Sequence, residues 1–512
     1  MGHSSRQGVE SVGPAVPTAA AASVPTEVDV LIVGAGISGI NAAYRVQNDT
    51  KRSYAIIEMR HDLGGTWSLF QYPGIRSDSD MYTLGFPFAP WKNAQAVADG
   101  PAIYRYVNDT ARQFGIYDKI HFDSKAAGAS WSSVEGKWTV QVEATSGQAS
   151  KTVKCNYLYW CSGYYDYVNE HKADIPGLHT EFAGQVVHPQ FWPKDLDWAN
   201  KRVVVIGSGA TAVTLLPALA DNASHVTMLQ RSPSYFVALP RADPIATVIK
   251  FLFPEKVAHT MLRYIWAIKY FSFYKMCRTF PRFMRSTLRL LTRWHLDKRT
   301  PLDPHFNPSY KPWDQRICFV PDGDMFTAIR SGKASVVTDT IDTVTKNGIK
   351  LNSGKEIAAD IIIPATGLRV QLFGGAELEV DGKKIHAGEK FIYKGFMLQD
   401  VPNMCISFGY TIISWSLGSD VTAQHVCRLL NKLTFTGMDY VVPQAPPGEK
   451  IEPCALLNLN SGYLQRAESY MPKQGSKGPW YMRNNWFKDR REVQKDTLDD
   501  CLVYGKASKT LK

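Results

Sequence analysis

Residues 29–39 read Asp29-Val30-Leu31-Ile32-Val33-Gly34-Ala35-Gly36-Ile37-Ser38-Gly39, and this stretch decides the fold. An apolar run too short for a helix leads into a glycine-rich turn, and Ile40–Val46 then has helical composition. Strand, turn and helix in that order suit a phosphate-binding loop. Gly34 permits the tight turn, Gly36 lets the backbone approach a pyrophosphate, and Gly39 allows the helix to lie close to the strand. The helix N-terminus turns partial positive charge toward the phosphates. A second apolar run, Tyr54–Ile57, ends in Glu58, which lies about 20 residues on, where an acid binds an adenosine ribose hydroxyl.

A second unit of this kind follows. Lys201–Ile206 reads as a buried strand, then come Gly207-Ser208-Gly209-Ala210-Thr211-Ala212, with Ala212 in the place of the third glycine. The next strand, His225–Gln230, ends in Arg231-Ser232 rather than in an acid. An arginine there suits a 2′-phosphate and favours NADPH, although a solvated surface arginine would look the same. The predicted fold class is α/β, with two Rossmann-like dinucleotide-binding domains. Two dinucleotides in one chain point to a flavoprotein in which the nicotinamide of NADPH reduces the isoalloxazine of FAD. Reductases and monooxygenases both fit that scheme.

The 512 residues exceed what one core usually serves, and 45% hydrophobic with 21% charged residues describes a folded globular chain. The net charge of +11 is concentrated: residues 241–300 hold thirteen lysines and arginines against three acidic residues. The eight cysteines form no CxxC pair and no zinc-ligand spacing, so neither a disulfide framework nor a metal site is expected. Residues 1–26, rich in Ala, Pro and Ser, read as a disordered leader, and a transit peptide is the other reading. No run of eighteen apolar residues is present, so the expected location is the cytoplasm, with any membrane contact peripheral.

Between the loops, Phe182–Pro193 carries Phe182, Gly184, His188 and Trp192 in the pattern FxGxxxHxxxWP. Gly64, Gly65, Trp67, Tyr72, Pro73, Gly74 and Asp78 complete GGxWxxxxYPGxxxD. Together they resemble the type I Baeyer–Villiger monooxygenases of the flavin-containing monooxygenase superfamily. Residues 72–86, 204–233 and 312–316 look like the ethionamide-activating group of mycobacteria.

The resemblance implies roles. Arg316 would supply a fixed cation beside a flavin C4a-peroxide and orient the nicotinamide, and Asp78 would place that arginine; a purely structural ion pair is the plainer reading. Gly65, Thr66, Trp67, Tyr72, Asp78 and Tyr82 would meet FAD. Gly207, Ser208, Gly209, Ala210, Thr211, Arg231 and Ser232 would meet NADPH. His188 and Trp192 would couple the domains without a chemical step. The Ala365-Thr366-Gly367 segment would mark the return to a split FAD domain.

The expected domains are therefore 27–165 with 357–512 for FAD, 166–240 with 311–356 for NADPH, and a basic helical insertion over 241–310. That insertion could cover a substrate channel, lie on a membrane surface, or be a subdomain with a solvated charged face. Tyr410 and Trp415 could approach the flavin or belong to the core. The expected activity is insertion of one atom of O2 into a small organic substrate, foremost a ketone. Nitrogen or sulfur oxygenation is the alternative, and a disulfide or quinone reductase a more distant one. No nucleic-acid-binding motif is present.

Overall fold

The computed structural model describes residues 24–508 apart from 146, 148, 458 and 459. All but the last three residues of the expected leader lie outside the described residues.

Strand Glu27–Val33 runs parallel between Tyr54–Ile57 and the second half of Lys151–Trp160. Val30, Leu31 and Ile32 are fully buried, as expected of a strand covered on both faces. Met404–Ile406 adds a parallel strand on the far side of Lys151–Trp160. Two antiparallel strands, Ser124–Ser132 and Lys137–Ala144, widen the sheet, and Glu377–Val380 with Lys383–Lys384 at one edge and Ile120–His121 at the other complete its nine strands. Helix Ile37–Asp49 leaves the first loop and packs on helix Trp415–Thr436, where Arg45 pairs with Asp420 at 2.9 Å. The first nucleotide unit is thus closed by residues from the far end of the chain.

The second sheet has five parallel strands in the order Ala334–Thr338, His225–Gln230, Arg202–Ile206, Ile361–Pro364, Gln185–Val186. Its membership moves one expected boundary. Ile361–Pro364 was expected on the FAD side of residue 357, but it pairs in register with Val203–Ile206. The run Ile361-Ile362-Ile363 is buried, and an apolar strand of that kind gains most at the centre of a parallel sheet, flanked on both edges. Arg202 and Asp360 pair at 2.7 Å at the start of the two strands.

The segment 241–310 is helical, as expected: Pro244–Leu252, Glu255–Thr279 and Pro281–His295. Its inner residues Leu262, Trp266 and Tyr270 join the core beneath the first sheet. Buried Arg263 donates to the carbonyl oxygens of Tyr82 at 3.0 Å and Gly85 at 2.6 Å, which satisfies the end of the short helix Met81–Leu84.

Candidate active site

The first loop has the steric form its glycines require. A Cβ on Gly39 would stand 1.9 Å from the Gly34 carbonyl oxygen, and one on Gly34 2.7 Å from that of Cys161. At Gly36 the nearest atom would be the Gly65 Cα at 3.6 Å, so the space above it is open. Helix Ile37–Asp49 begins at Gly36 with no side-chain cap, whereas Asp80, Asp99 and Asp243 cap theirs. Its first-turn amides are therefore available to an anion. Glu58 is buried and its carboxyl is raised by burial, opposed by the amides of Ala35 at 2.7 Å and Arg60 at 3.0 Å. Gly34, Gly36, Glu58 and Gly65 border one cleft with Ser162 and Tyr167. Thr66 meets the Tyr167 hydroxyl at 3.3 Å, and Trp67 is half-buried against the core. An acid, bare amides and a glycine floor fit the adenosine diphosphate half of FAD.

The second loop repeats this arrangement. A Cβ on Gly207 would stand 2.4 Å from the Ala365 carbonyl oxygen, whereas one on Gly209 would meet nothing within 4 Å. Helix Ala210–Ala220 likewise starts without a side-chain cap, and Ala212 is fully buried at the third position. The Ser208 hydroxyl donates to the Ser232 carbonyl at 3.0 Å, which ties the loop to the end of the next strand. Arg231 and Ser232 are exposed beside it, with Ala210 exposed and Thr211 half-buried. These groups fit NADPH phosphates.

The signature between the loops joins the two units. Tyr72 hydrogen-bonds Thr211 across them, while burial pushes its hydroxyl up to about 12. Gly74, at φ +76°, sits so close to helix Ala210–Ala220 that a Cβ would fall 2.9 Å from the Ala218 Cβ. Arg76 is paired with Asp324 of the second unit. Asp78 then reaches Arg316, 238 residues on, with contacts of 3.0 and 3.3 Å. Asp78 holds the guanidinium pKa above its ordinary value, against the opposing effect of burial.

Three groups near that arginine carried no motif. Tyr164, Tyr165 and Tyr463 lie within its electrostatic reach, and the Tyr164 and Tyr165 hydroxyls are 2.9 Å apart. Trp415, expected either at the flavin or in the core, stacks on Tyr164 with ring centres 4.9 Å apart. Tyr410 binds Asp489 at 2.9 Å and is buried. The one adjacency that could have signalled the tyrosines is the pair Tyr164-Tyr165 just after the strand end Trp160-Cys161.

Tyr82 departs from its expected place. It is fully buried beneath the insertion, with the Lys250 ammonium 5.0 Å from its ring, and a ring with no free face offers a cofactor nothing to touch. The fingerprint residues fasten the linker. A Cβ on Gly184 would lie 2.4 Å from the Asp360 carbonyl oxygen, Phe182 packs on the second sheet, and Trp192 meets Trp198 edge-on at 6.1 Å. His188 Nδ1 accepts from the Gln190 amide at 3.2 Å and lies 3.7 Å from Glu170; burial lowers its pKa. Among the described residues no cluster of His, Cys, Asp or Glu could hold a metal.

Comparison with known proteins agrees with this geometry. The profile of the family described as flavin-binding monooxygenase-like matches residues 27–419. The FAD-containing monooxygenase EthA of Mycolicibacterium smegmatis is 48% identical over 92% of this chain and 96% of its own length. EthA of Mycobacterium tuberculosis is also 48% identical, over 92% and 96%. Among solved structures, an oxidized steroid monooxygenase bound to NADP superposes with a TM-score of 0.74 at 20% identity, covering 94% of this chain and all of its own, a likeness of fold. With a family profile across both nucleotide units and relatives matching nearly end to end, the chain belongs to the flavin-binding monooxygenase-like family.

Proposed function

We propose that this monooxygenase uses FAD, NADPH and dioxygen to insert one oxygen atom into a small ketone, giving an ester or lactone. FAD, once reduced by NADPH, supplies the activation of dioxygen. The residues around it bind and orient. The open floor at Gly36 and the first-turn amides of Ile37–Asp49 hold the FAD pyrophosphate, with Glu58 on the ribose and Gly65, Thr66, Trp67 and Tyr72 along the same side. Ser208, Gly209, Ala210 and Thr211 hold NADPH phosphates, and Arg231 with Ser232 takes the 2′-phosphate.

The observation that carries the ketone reading is the Asp78–Arg316 pair between the two loops. Arg316, kept protonated by Asp78, favours negative charge on the oxygen being transferred, the form that adds to a carbonyl carbon. Transfer to nitrogen or sulfur needs the protonated, electrophilic form, which a fixed cation disfavours. On this reading the FAD domain joins residues 27–165 to the chain after Pro364, the NADPH domain uses 166–240 and 311–364, and 241–310 is an insertion. Its partners are the small-molecule substrate and O2, in the cytoplasm, with peripheral membrane contact through 241–310.

The test supplies the holoenzyme with NADPH, isotopically labelled dioxygen and a panel of ketones, amines and thioethers. Label in an ester or lactone, with one NADPH consumed per product, is the expected result. Label only in N- or S-oxides refutes the ketone reading, and NADPH oxidation yielding only hydrogen peroxide with every substrate refutes the oxygenase.

A further inference from the structure

Nineteen large apolar residues are well exposed among the described residues, and twelve of them lie between Ile245 and Trp294. A soluble surface rarely gathers apolar side chains in this way without a partner. They form two patches. In the first, Ile245, Val248 and Leu252 share one stripe of helix Pro244–Leu252, with Ala246 and Ile249 turned inward, and Phe251-Leu252-Phe253 makes an apolar tip in which Phe251 is 88% exposed. In the second, Phe283, Leu290 and Trp294 recur at helical spacing along Pro281–His295, 63% exposed at Phe283 and 76% at Trp294, while Met284, Leu288 and Thr292 are buried. Helix Glu255–Thr279 joins them, its 25 residues spanning about 37 Å.

The surrounding charge selects the occupant. Arg282 and Arg289 run beside the second stripe and Lys256 flanks the first, while Lys250 is turned to the Asn93 carbonyl at 2.8 Å and Arg293 to the carbonyls of Thr300 and Asp297. The three acidic residues of 241–300 are engaged: Asp243 caps its helix and meets Lys269 at 3.4 Å, Glu255 pairs with Lys92 at 3.4 Å, and Asp297 binds Thr300 at 3.0 Å. Arg289 pairs with Asp303 and Arg278 with Asp314, yet the segment keeps a large positive excess. Aromatic tips with flanking Lys and Arg suit the headgroup boundary of an anionic bilayer. Among the described residues no helix is long and apolar enough to cross a membrane, which limits the contact to the surface.

We propose that the enzyme docks on anionic phospholipid through these two patches, Phe251–Phe253 and Phe283 with Trp294 entering the headgroup boundary while exposed Lys256 and Arg282 meet the phosphates. The inference rests on the reading of 241–310 as a membrane contact and names the residues that make it. Helix Glu255–Thr279, which joins the two patches, also holds the segment before Arg316, Arg278 to Asp314 at 2.6 Å and Phe273 and Tyr274 against the Trp313 ring.

The full chain is sedimented with vesicles of phosphatidylcholine alone and of equimolar phosphatidylcholine and phosphatidylglycerol. Two variants accompany it, Phe251→Ser/Leu252→Ser/Phe253→Ser and Phe283→Ser/Trp294→Ser, with NADPH-dependent oxidation of a water-soluble ketone as the check on folding. Binding to the anionic vesicles alone, weakened by salt and reduced about tenfold or more in each variant at unchanged basal activity, is expected. Failure of the unaltered chain to bind anionic vesicles overturns membrane contact itself. Equal binding by chain and variants leaves contact through charge and overturns the named patches. Vesicle-independent self-association that both variants abolish reassigns the patches to a second copy of the chain and overturns the proposal.

Discussion

Replacing Gly209 by alanine separates a cofactor effect from a folding effect. Gly209 has φ −82° and ψ −176°, a conformation alanine adopts without strain, and a Cβ there meets nothing within 4 Å. The folded chain should accept the methyl group, with a stability change within about 1 kcal/mol, in the stabilising direction because the unfolded chain loses freedom. The methyl fills the space where the NADPH pyrophosphate approaches the bare amides of helix Ala210–Ala220. Each hydrogen bond to a charged group contributes about 1.5–3 kcal/mol, so displacing the phosphate from one of them costs about 1.5–3 kcal/mol. That corresponds to a rise of roughly 10- to 150-fold in the Michaelis constant for NADPH. Initial-rate kinetics across NADPH concentrations and a thermal melt of the same preparation read both quantities. Gly207→Ala is the control: its Cβ would lie 2.4 Å from the Ala365 carbonyl at φ +139°, so it should lower Tm as well. An unchanged Michaelis constant in a normally folded Gly209→Ala enzyme would refute the placement of NADPH on this loop.

Arg316→Ala should lower the rate of coupled product formation about 100- to 1000-fold, the cost of losing one positioned donor in a transition state; product and hydrogen peroxide assayed together would reveal retention of coupled turnover. Because the Asp78–Arg316 side chains are 31% and 39% exposed, Asp78→Asn should cost only about 1 kcal/mol of stability while still lowering turnover, as a melt beside the same assay would show. Gly74→Ala should destabilise by about 1–3 kcal/mol, since its Cβ presses on Ala218 at φ +76°, with calorimetry as the check. Fully buried Asp80 has its carboxyl pushed by burial from 3.8 up to about 6. A raised folded-state pKa favours the neutral acid, so its contribution is complete below the unfolded carboxylate range and is lost as pH rises through 6, by up to roughly 3 kcal/mol. Asp80→Asn should therefore gain Tm relative to the unaltered chain between about pH 4 and pH 8, and parallel curves would contradict this.

What the sequence determined by itself was local. Each nucleotide loop is a strand, a turn and a helix within about thirty residues, and its first glycine, Gly34 or Gly207, stands where a Cβ would strike a neighbouring carbonyl, so short-range sterics leave a readable pattern. The helical insertion was legible for the same reason, and Asp78 and Arg316 were legible through motif alone. Tertiary structure decided the rest. It brought Asp78 to Arg316 across 238 residues, placed Ile361–Pro364 in the second sheet, and gathered Tyr164, Tyr165 and Tyr463 around the arginine. It also buried Tyr82 beneath the insertion, and it turned Phe251, Phe283 and Trp294 outward, although their hydrophobicity alone would have sent them inward. Apolar strands and lone aromatic residues carry no address: which sheet a buried isoleucine run joins, and which tyrosine faces a cation, depend on contacts made only after distant segments pack.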